Sequence, residues 1–255
     1  MKCPNLLLLG LFLIGPGMSQ AAVTVSGDVL SPGSIDVKPG ARLMDVIQGA
    51  QPNPESYWLG AAWLHRSLEV QQARLKAGVL FDLKLVQRGA LLDGKGTRAD
   101  LSARLYEQIG RLPVTGRQVA VLDPIAVEVG FARNALLDDG DRLIYPARPS
   151  TVEVLGAVAQ PCHVPYRALQ EVHAFARQCT ILDDAERDYL WLIQPDGKIR
   201  RVGVAAWNRE EGIVAAPGSR ILVPIRNDDL ELPTPDLNQQ MAEFLATQPL
   251  AEVAP

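Results

Sequence analysis

The side chains able to ligate a metal, attack a substrate or carry a proton are sparse in this chain. His65, His163 and His173 are its only histidines, and none pairs with another at a metal-binding spacing such as HExxH. There is no GxSxG nucleophile elbow, no phosphate-binding P-loop and no GxGxxG after a strand. The acidic pairs Asp138-Asp139 and Asp183-Asp184 flank turns, where solvated carboxylates are common. A carboxylate pair for glycoside cleavage would have to be assembled by the fold. The expectation is therefore a protein with no catalytic residues, no metal and no cofactor.

Three other features bear on function. Cys162 and Cys179 stand where a strand leaves its turn and where the following helix ends. A helix running back across its sheet brings those positions together, so a disulfide is expected, with two buried free thiols as the alternative. Arg117 lies in PVTGRQVAVLDP, at the exit from a helical segment into a strand. Its planar fork suits a sugar hydroxyl array, a uronate or a phosphate, which makes it the candidate ligand-binding residue. The structural alternative has it capping the preceding helix or pairing with Asp123 or Asp138. Tyr57, Trp58 and Trp63 offer either stacking surfaces for sugars or core filling.

The elements that must position these residues follow from a repeat. VTVSGDVLSP (Val23 to Pro32) and VEVLGAVAQP (Val152 to Pro161) share the frame V-x-V-x-G-x-V-x-x-P. Alternating valines predict a strand, the glycine a bulge or close backbone approach, and the proline a turn into a second strand. Helical spacing follows in ARLMDVIQGA (41–50) and RALQEVHAFARQC (167–179). Both units close alike, in DGDRLIYP and PGSRILVP. Hairpin, crossing helix and further strands are the order of a β-grasp, a ubiquitin-like α+β layer.

From Gly27 to Arg142 the first unit carries 51 residues more than the second does from Gly156 to Arg220. The surplus falls at about 54–113. Leu64, Leu68 and Leu75, then Leu101, Leu105, Ile109 and Leu112, predict two amphipathic helices joined by a loop in the glycine-rich Arg88 to Gly96. The alternative is one helix ended early by Gly78, followed by an extended loop. The resulting plan is a first β-grasp domain over 22–149 with that helical insertion and a second over 150–226. A linker and an amphipathic C-terminal helix occupy 227–255, with Thr234 as cap and Leu237, Met241, Phe244 and Leu245 on one face. That face either packs back on its own domains or docks on a partner.

Ahead of these lies a secretory pattern: Lys2, the apolar run Leu6 to Ile14, helix-breaking Pro16-Gly17, then Ser19-Gln20-Ala21. It predicts a signal peptide over 1–21, too short in its apolar run to span a bilayer. The 255-residue chain has 47% hydrophobic and 21% charged residues and a net charge of -4. That composition is globular and gives no general attraction to nucleic acid or an anionic membrane. Without residues 1–21 only Cys162 and Cys179 remain, an even count that suits an oxidising compartment.

VTVSGDVLSPGSIDVKPGARLMDVI resembles the SLBB type of β-grasp found in polysaccharide export proteins of Gram-negative outer membranes. The order of signal peptide, SLBB-like unit, helical insertion, LPVTGR exit, LDP turn, second unit and C-terminal helix is similar to the GfcC family of periplasmic capsule-biosynthesis proteins. Those resemble two domains of the Wza-type exporter. The resemblance implies a non-catalytic periplasmic accessory protein for capsular or extracellular polysaccharide, with a polysaccharide or the exporter as partner. It implies no nucleic acid, no stable membrane insertion, and a monomer or small oligomer. Two alternatives stand beside it: a periplasmic glycan-modifying enzyme with its site beside Arg117, and a soluble SLBB protein that binds a small vitamin-like molecule.

Overall fold

The computed structural model describes residues 21–226 and 234–250. The apolar segment of the expected signal peptide and linker residues 227–233 lie outside the described residues. The strands are β1 (Ala21–Gly27), β2 (Gly33–Val37), β3 (Ala62–Leu64), β4 (Arg117–Gln118), β5 (Arg142–Tyr145), β6 (Thr151–Gly156), β7 (Cys162–Pro165), β8 (Tyr189–Ile193), β9 (Ile199–Gly203) and β10 (Arg220–Val223). The helices are α1 (Leu43–Ala50), α2 (Arg66–Leu92), α3 (Gly96–Arg111), α4 (Pro124–Glu128), α5 (Val172–Ala176) and α6 (Leu237–Ala246).

Two five-stranded mixed sheets result, ordered β2-β1-β5-β3-β4 and β7-β6-β10-β8-β9. In each, the opening hairpin is antiparallel and the closing strand runs parallel to the first strand and antiparallel to the third. The valines of the repeat point into the cores: Val23, Val25, Val152 and Val154 are buried. The repeat glycines occupy matching registers, Gly27 opposite Tyr145 and Gly156 opposite Val223. Both have φ in the left-handed region, +92° and +98°. A β-carbon on either would collide with the carbonyl oxygen of the residue opposite. Only glycine fits this approach.

The extra residues of the first unit replace a turn. In the second sheet residues 194–198 join β8 to β9, whereas in the first residues 65–116 join β3 to β4, and they contain α2 and α3. Several sequence expectations are corrected here. Trp63 and Leu64 belong to β3, not to a helix, because they pair with both β4 and β5. Helix α2 runs on through Gly78 and Gly89, and only Asp93 to Lys95 separate it from α3. Its buried side is Gln72, Val79, Leu83, Val86 and Ala90, spaced three, four and seven apart, with Leu75 partly buried against the same core, while Leu64 lies in β3 and Leu68 is half-buried. In the second unit the helix is confined to α5, while Leu169 has φ +60° and is 85% exposed.

α2 and α3 pack against each other and also against the second unit. Val79, Leu83, Val86, Leu101, Leu105 and Ile109 share one core with the strands of the second sheet and with α6. Polar ties reinforce this: Arg104 donates to the carbonyls of Val158 (2.5 Å) and Ala159 (2.8 Å), and Arg98 Nε meets Asp184 at 3.1 Å. α6 lies over α2 and the β8–β9 hairpin with Leu237, Met241, Phe244 and Leu245 buried. Each such side chain contributes about 1.5–3 kcal/mol on burial. Thr234 does not cap it; Asp236 holds the N-terminal position, and the Thr234 carbonyl accepts from Leu237 N–H. The first unit keeps a smaller core of its own between β1, β5, α1 and α4.

Gly27→Ala and Gly156→Ala should each cost about 2 kcal/mol or more, from left-handed backbone plus the carbonyl collision. Urea unfolding midpoints would measure this, and a wild-type midpoint for either variant would show that the parallel strands are free to part at that register.

Candidate functional site

Arg117 is the residue that the sequence singles out, and its surroundings are built from the inserted helices. At the end of α3, Pro113 stops the helix and Gly116, with φ +72°, turns the chain back beside β3. Gln72 of α2 clamps the turn: its Nε2 donates to the Arg117 carbonyl (2.9 Å) and its Oε1 accepts from Gly116 N–H (2.8 Å). The Arg117 side chain then points inward and is 5% exposed. Its Nη1 donates to the carbonyls of Ala246 (3.3 Å) and Gln248 (3.2 Å) and its Nη2 to those of Ala61 (3.3 Å) and Pro195. Loss of solvation, with the nearby Arg220 charge adding to it and Asp196 opposing it, lowers its pKa to about 10.

Arg220, first residue of β10, works beside it. It donates to the carbonyls of Gln248 (2.8 Å) and Pro249 (3.2 Å) and pairs with Glu153 at 3.2 Å. Thr115 Oγ1 donates to the Thr247 carbonyl (2.7 Å), and Gln248 Nε2 donates to that of Pro113 (3.1 Å). The chain leaving α6 is therefore held by both units. Arg117 stands in the interior with four backbone carbonyls, not at the wall of an open cleft. Asp123 instead caps α4, accepting from Ile125 N–H (3.0 Å), and Asp138 faces His65. Backbone carbonyls carry no residue-type signature, so the sequence had no means of naming these partners.

Cys162, first residue of β7, and Cys179, just past α5, form a disulfide across 6.4 Å between their α-carbons. A loop of this length stabilises by roughly 3 kcal/mol in the chain-entropy treatment. The equivalent positions of the first unit, Gly33 and Ala50, are also the start of a hairpin strand and the end of a helix.

One cluster of proton-transferring groups forms at the start of α2. His65 Nδ1 lies 3.2 Å from Asp141 Oδ1 and 3.3 Å from Ser67 Oγ, and its Nε2 lies 3.5 Å from Asp138. In a nucleophile relay the hydroxyl and the orienting carboxylate occupy opposite nitrogens of the ring. Here Ser67 and the buried Asp141 meet the same nitrogen, and the carboxylate at the opposite nitrogen, Asp138, is exposed and 3.5 Å away. Asp141 is held for structural ends, since its Oδ2 accepts from Trp63 Nε1 (2.9 Å) and from Asp138 N–H (3.0 Å). Among the described residues no three His, Cys, Asp or Glu side chains gather as a metal-binding group, and no helix is long and apolar enough to cross a membrane.

The largest of the open cavities described, about 530 Å³, lies between the two units. Residues 54–59 form one wall, and Arg148, Tyr166, Gln194 and residues 214–217 the other. Tyr57 bridges it: the ring is buried and its hydroxyl donates to the Pro217 carbonyl (2.9 Å). Burial pushes the Tyr57 phenol up to about 12, against a lowering influence from Arg148. Of the three aromatics flagged in the sequence, Trp63 fills the core, Tyr57 ties the units together, and Trp58 is left 44% exposed on the cavity wall. Arg148 and Tyr166 were not flagged, because they reach the cavity from the connection after β5 and the end of the β6–β7 hairpin.

Comparison with known proteins assigns both halves. Residues 19–149 match the family described as "Capsule biosynthesis GfcC, N-terminal", and residues 160–249 match "Capsule biosynthesis GfcC C-terminal". The chain belongs to the GfcC capsule biosynthesis family. It is also similar to the uncharacterized protein YjbG of Escherichia coli (strain K12), with 31% identity over 236 residues that cover 91% of this chain and 94% of that protein. In this GfcC-family chain the N-terminal match holds the whole first sheet with α2 and α3. The C-terminal match holds β7 to β10 and α6, so the cavity falls where the two family halves meet.

Three variants follow from this geometry. Arg117→Met should destabilise the fold by about 3 kcal/mol, because four buried carbonyls lose a charged donor, and Arg117→Lys should recover only part of that; thermal and urea unfolding would report it. Tyr57 ionises near its ordinary pKa of 10.0 when unfolded but near 12 when folded. Its contribution is thus fully present below pH 10 and declines as pH rises toward 12. Tyr57→Phe should show a shallower loss of stability across that window than the wild type.

Proposed function

We propose that this chain is a non-catalytic periplasmic accessory protein for the assembly or export of capsular or extracellular polysaccharide, acting by binding glycan or a component of the export machinery. The observation that carries the reading is the match of residues 19–149 and 160–249 to the two parts of a capsule biosynthesis family, the first holding all of the first sheet and the second four of the five strands of a sheet of the same order. That order, with the opening hairpin at one side and the closing strand parallel to the first, supports a β-grasp assignment for each unit. The Cys162–Cys179 disulfide suits an oxidising compartment, as the secretory pattern over 1–21 does.

Support for a non-catalytic role comes from the two places where catalysis would be sought. Arg117 has both Nη atoms committed to carbonyls, and Asp141, the buried carboxylate of the His65 cluster, has its Oδ2 engaged by Trp63 Nε1 and the Asp138 N–H. The α6 face, which is the obvious site for docking a partner, is covered by α2 and the second sheet. Glycan or partner contact therefore falls to the surfaces between and around the units.

Deletion of the gene should reduce surface and secreted polysaccharide while the outer-membrane exporter remains present by immunostaining, and the wild-type gene should restore it. Unchanged polymer in the deletion strain would remove the polysaccharide role and leave the fold without that function.

A further inference from the structure

Resting on the glycan-binding form of that reading, we propose that the cleft between the two units is a saccharide site, in which Trp58 stacks on an uncharged pyranose ring while Arg148 and Glu55 hold its hydroxyls. The cavity of about 530 Å³ lies within the range of small-molecule sites. Hydrogen bonds tie its walls. Trp58 opens a short 3-10 turn, Trp58–Gly60, fixed by Trp58 N–H to the Ser56 carbonyl (3.0 Å), Gly60 N–H to that of Tyr57 (2.9 Å) and Ala61 N–H to that of Trp58 (3.1 Å). Opposite, Gln194 spends its amide on the Val214 carbonyl (3.3 Å), Ala216 N–H (3.3 Å) and Ser219 Oγ (2.8 Å). A large apolar ring carried on a hydrogen-bonded turn needs little backbone ordering to stack on a ligand.

The polar groups that remain uncommitted define the ligand. Arg148 lies over the Tyr57 ring, 5.5 Å from its centroid, and has no carboxylate partner among the described residues. Glu55 lines the same cleft, exposed, and pairs with no cation among the described residues, Arg148 included. The Tyr166 hydroxyl, at the same wall, is likewise unused there. Five N–H donors in a planar fork, a carboxylate acceptor and a phenol match the alternating donors and acceptors of vicinal hydroxyls. One cation set against one carboxylate leaves the lining neutral, which disfavours a phosphate or a polyuronate and favours an uncharged sugar. The site needs both units: Trp58 and Glu55 come from the first, Tyr166 from the second.

The test is isothermal titration of the full mature protein with the neutral and the acidic oligosaccharide fractions from partial hydrolysis of the producing cells' extracellular polysaccharide. The neutral fraction should bind saturably. Trp58→Ala and Arg148→Ala should each weaken that binding at least tenfold, with unchanged thermal unfolding, since both side chains are exposed. Trp207→Ala, at another exposed tryptophan away from the cleft, should bind as wild type does. Binding of the acidic fraction alone, binding of neither, or wild-type affinity in Trp58→Ala would overturn the site. Complementation separates this from failure of the broader reading. If wild type restores polymer to the deletion strain and the Trp58→Ala/Arg148→Ala double variant restores it as well, the site falls while the accessory role stands. If deletion leaves polymer unchanged but neutral fragments still bind through Trp58, the site stands and the accessory role falls.

Discussion

One buried guanidinium ties the separate parts of the molecule together. Arg117 belongs to the last strand of the first sheet, yet its carbonyl partners come from three separate segments: Ala61 before β3, Pro195 in the β8–β9 turn, and Ala246 with Gln248 at the end of α6. A cation taken out of water is tolerated only where hydrogen bonds replace its hydration. Satisfying it requires both sheets and the C-terminal helix to be in place together. Arg220 repeats the arrangement from the second unit, and it shares the Gln248 carbonyl with Arg117. Two positive side chains held this close account for part of the lowered pKa of Arg117.

The inserted helices give that clasp its setting. In the second unit a five-residue turn, 194–198, closes the hairpin, whereas in the first the same connection grows into α2 and α3. Such a pair has two apolar sides to cover. One is met by mutual packing, and the other by the second sheet and α6, so that the larger core of the protein is built from residues of both units. The two units are therefore not independent beads on a string. Their relative position is fixed by a hydrophobic core on one side and by the Tyr57 bridge to Pro217 on the other. The cleft beside Tyr57 is a product of that fixed position, which is why its walls come from both units.

Local features were legible because their causes are local. The repeat V-x-V-x-G-x-V-x-x-P identified both opening hairpins, since strand alternation and a glycine required at positive φ depend on nearby residues and on one close approach. The pairing of Cys162 with Cys179 was accessible for a related reason, as a short helix has few places to return to. The first inserted helix was placed with less accuracy. Trp63 and Leu64 match a helical stripe as well as a short buried strand, and periodicity over three residues cannot separate the two. Gly78 offered an alternative early end to α2 and Gly89 a place in the loop after it, but packing against α3 and α6 outweighs a cost of about 1 kcal/mol per glycine.

What the sequence determined by itself was the duplicated α+β plan, the insertion in the first copy and the amphipathic last helix, because hydrophobic period and turn chemistry are properties of neighbouring residues. The tertiary structure alone decided what Arg117 touches, where α6 rests and which aromatic remains open to a ligand. Those outcomes depend on backbone carbonyls and on surfaces brought together from residues more than a hundred positions apart, as Arg117 and Ala246 are. Trp58 and Trp63 show the difference within a single stretch. Both are large and apolar, but the strand pairing of β3 buries one, while the turn before it leaves the other facing the gap between the units.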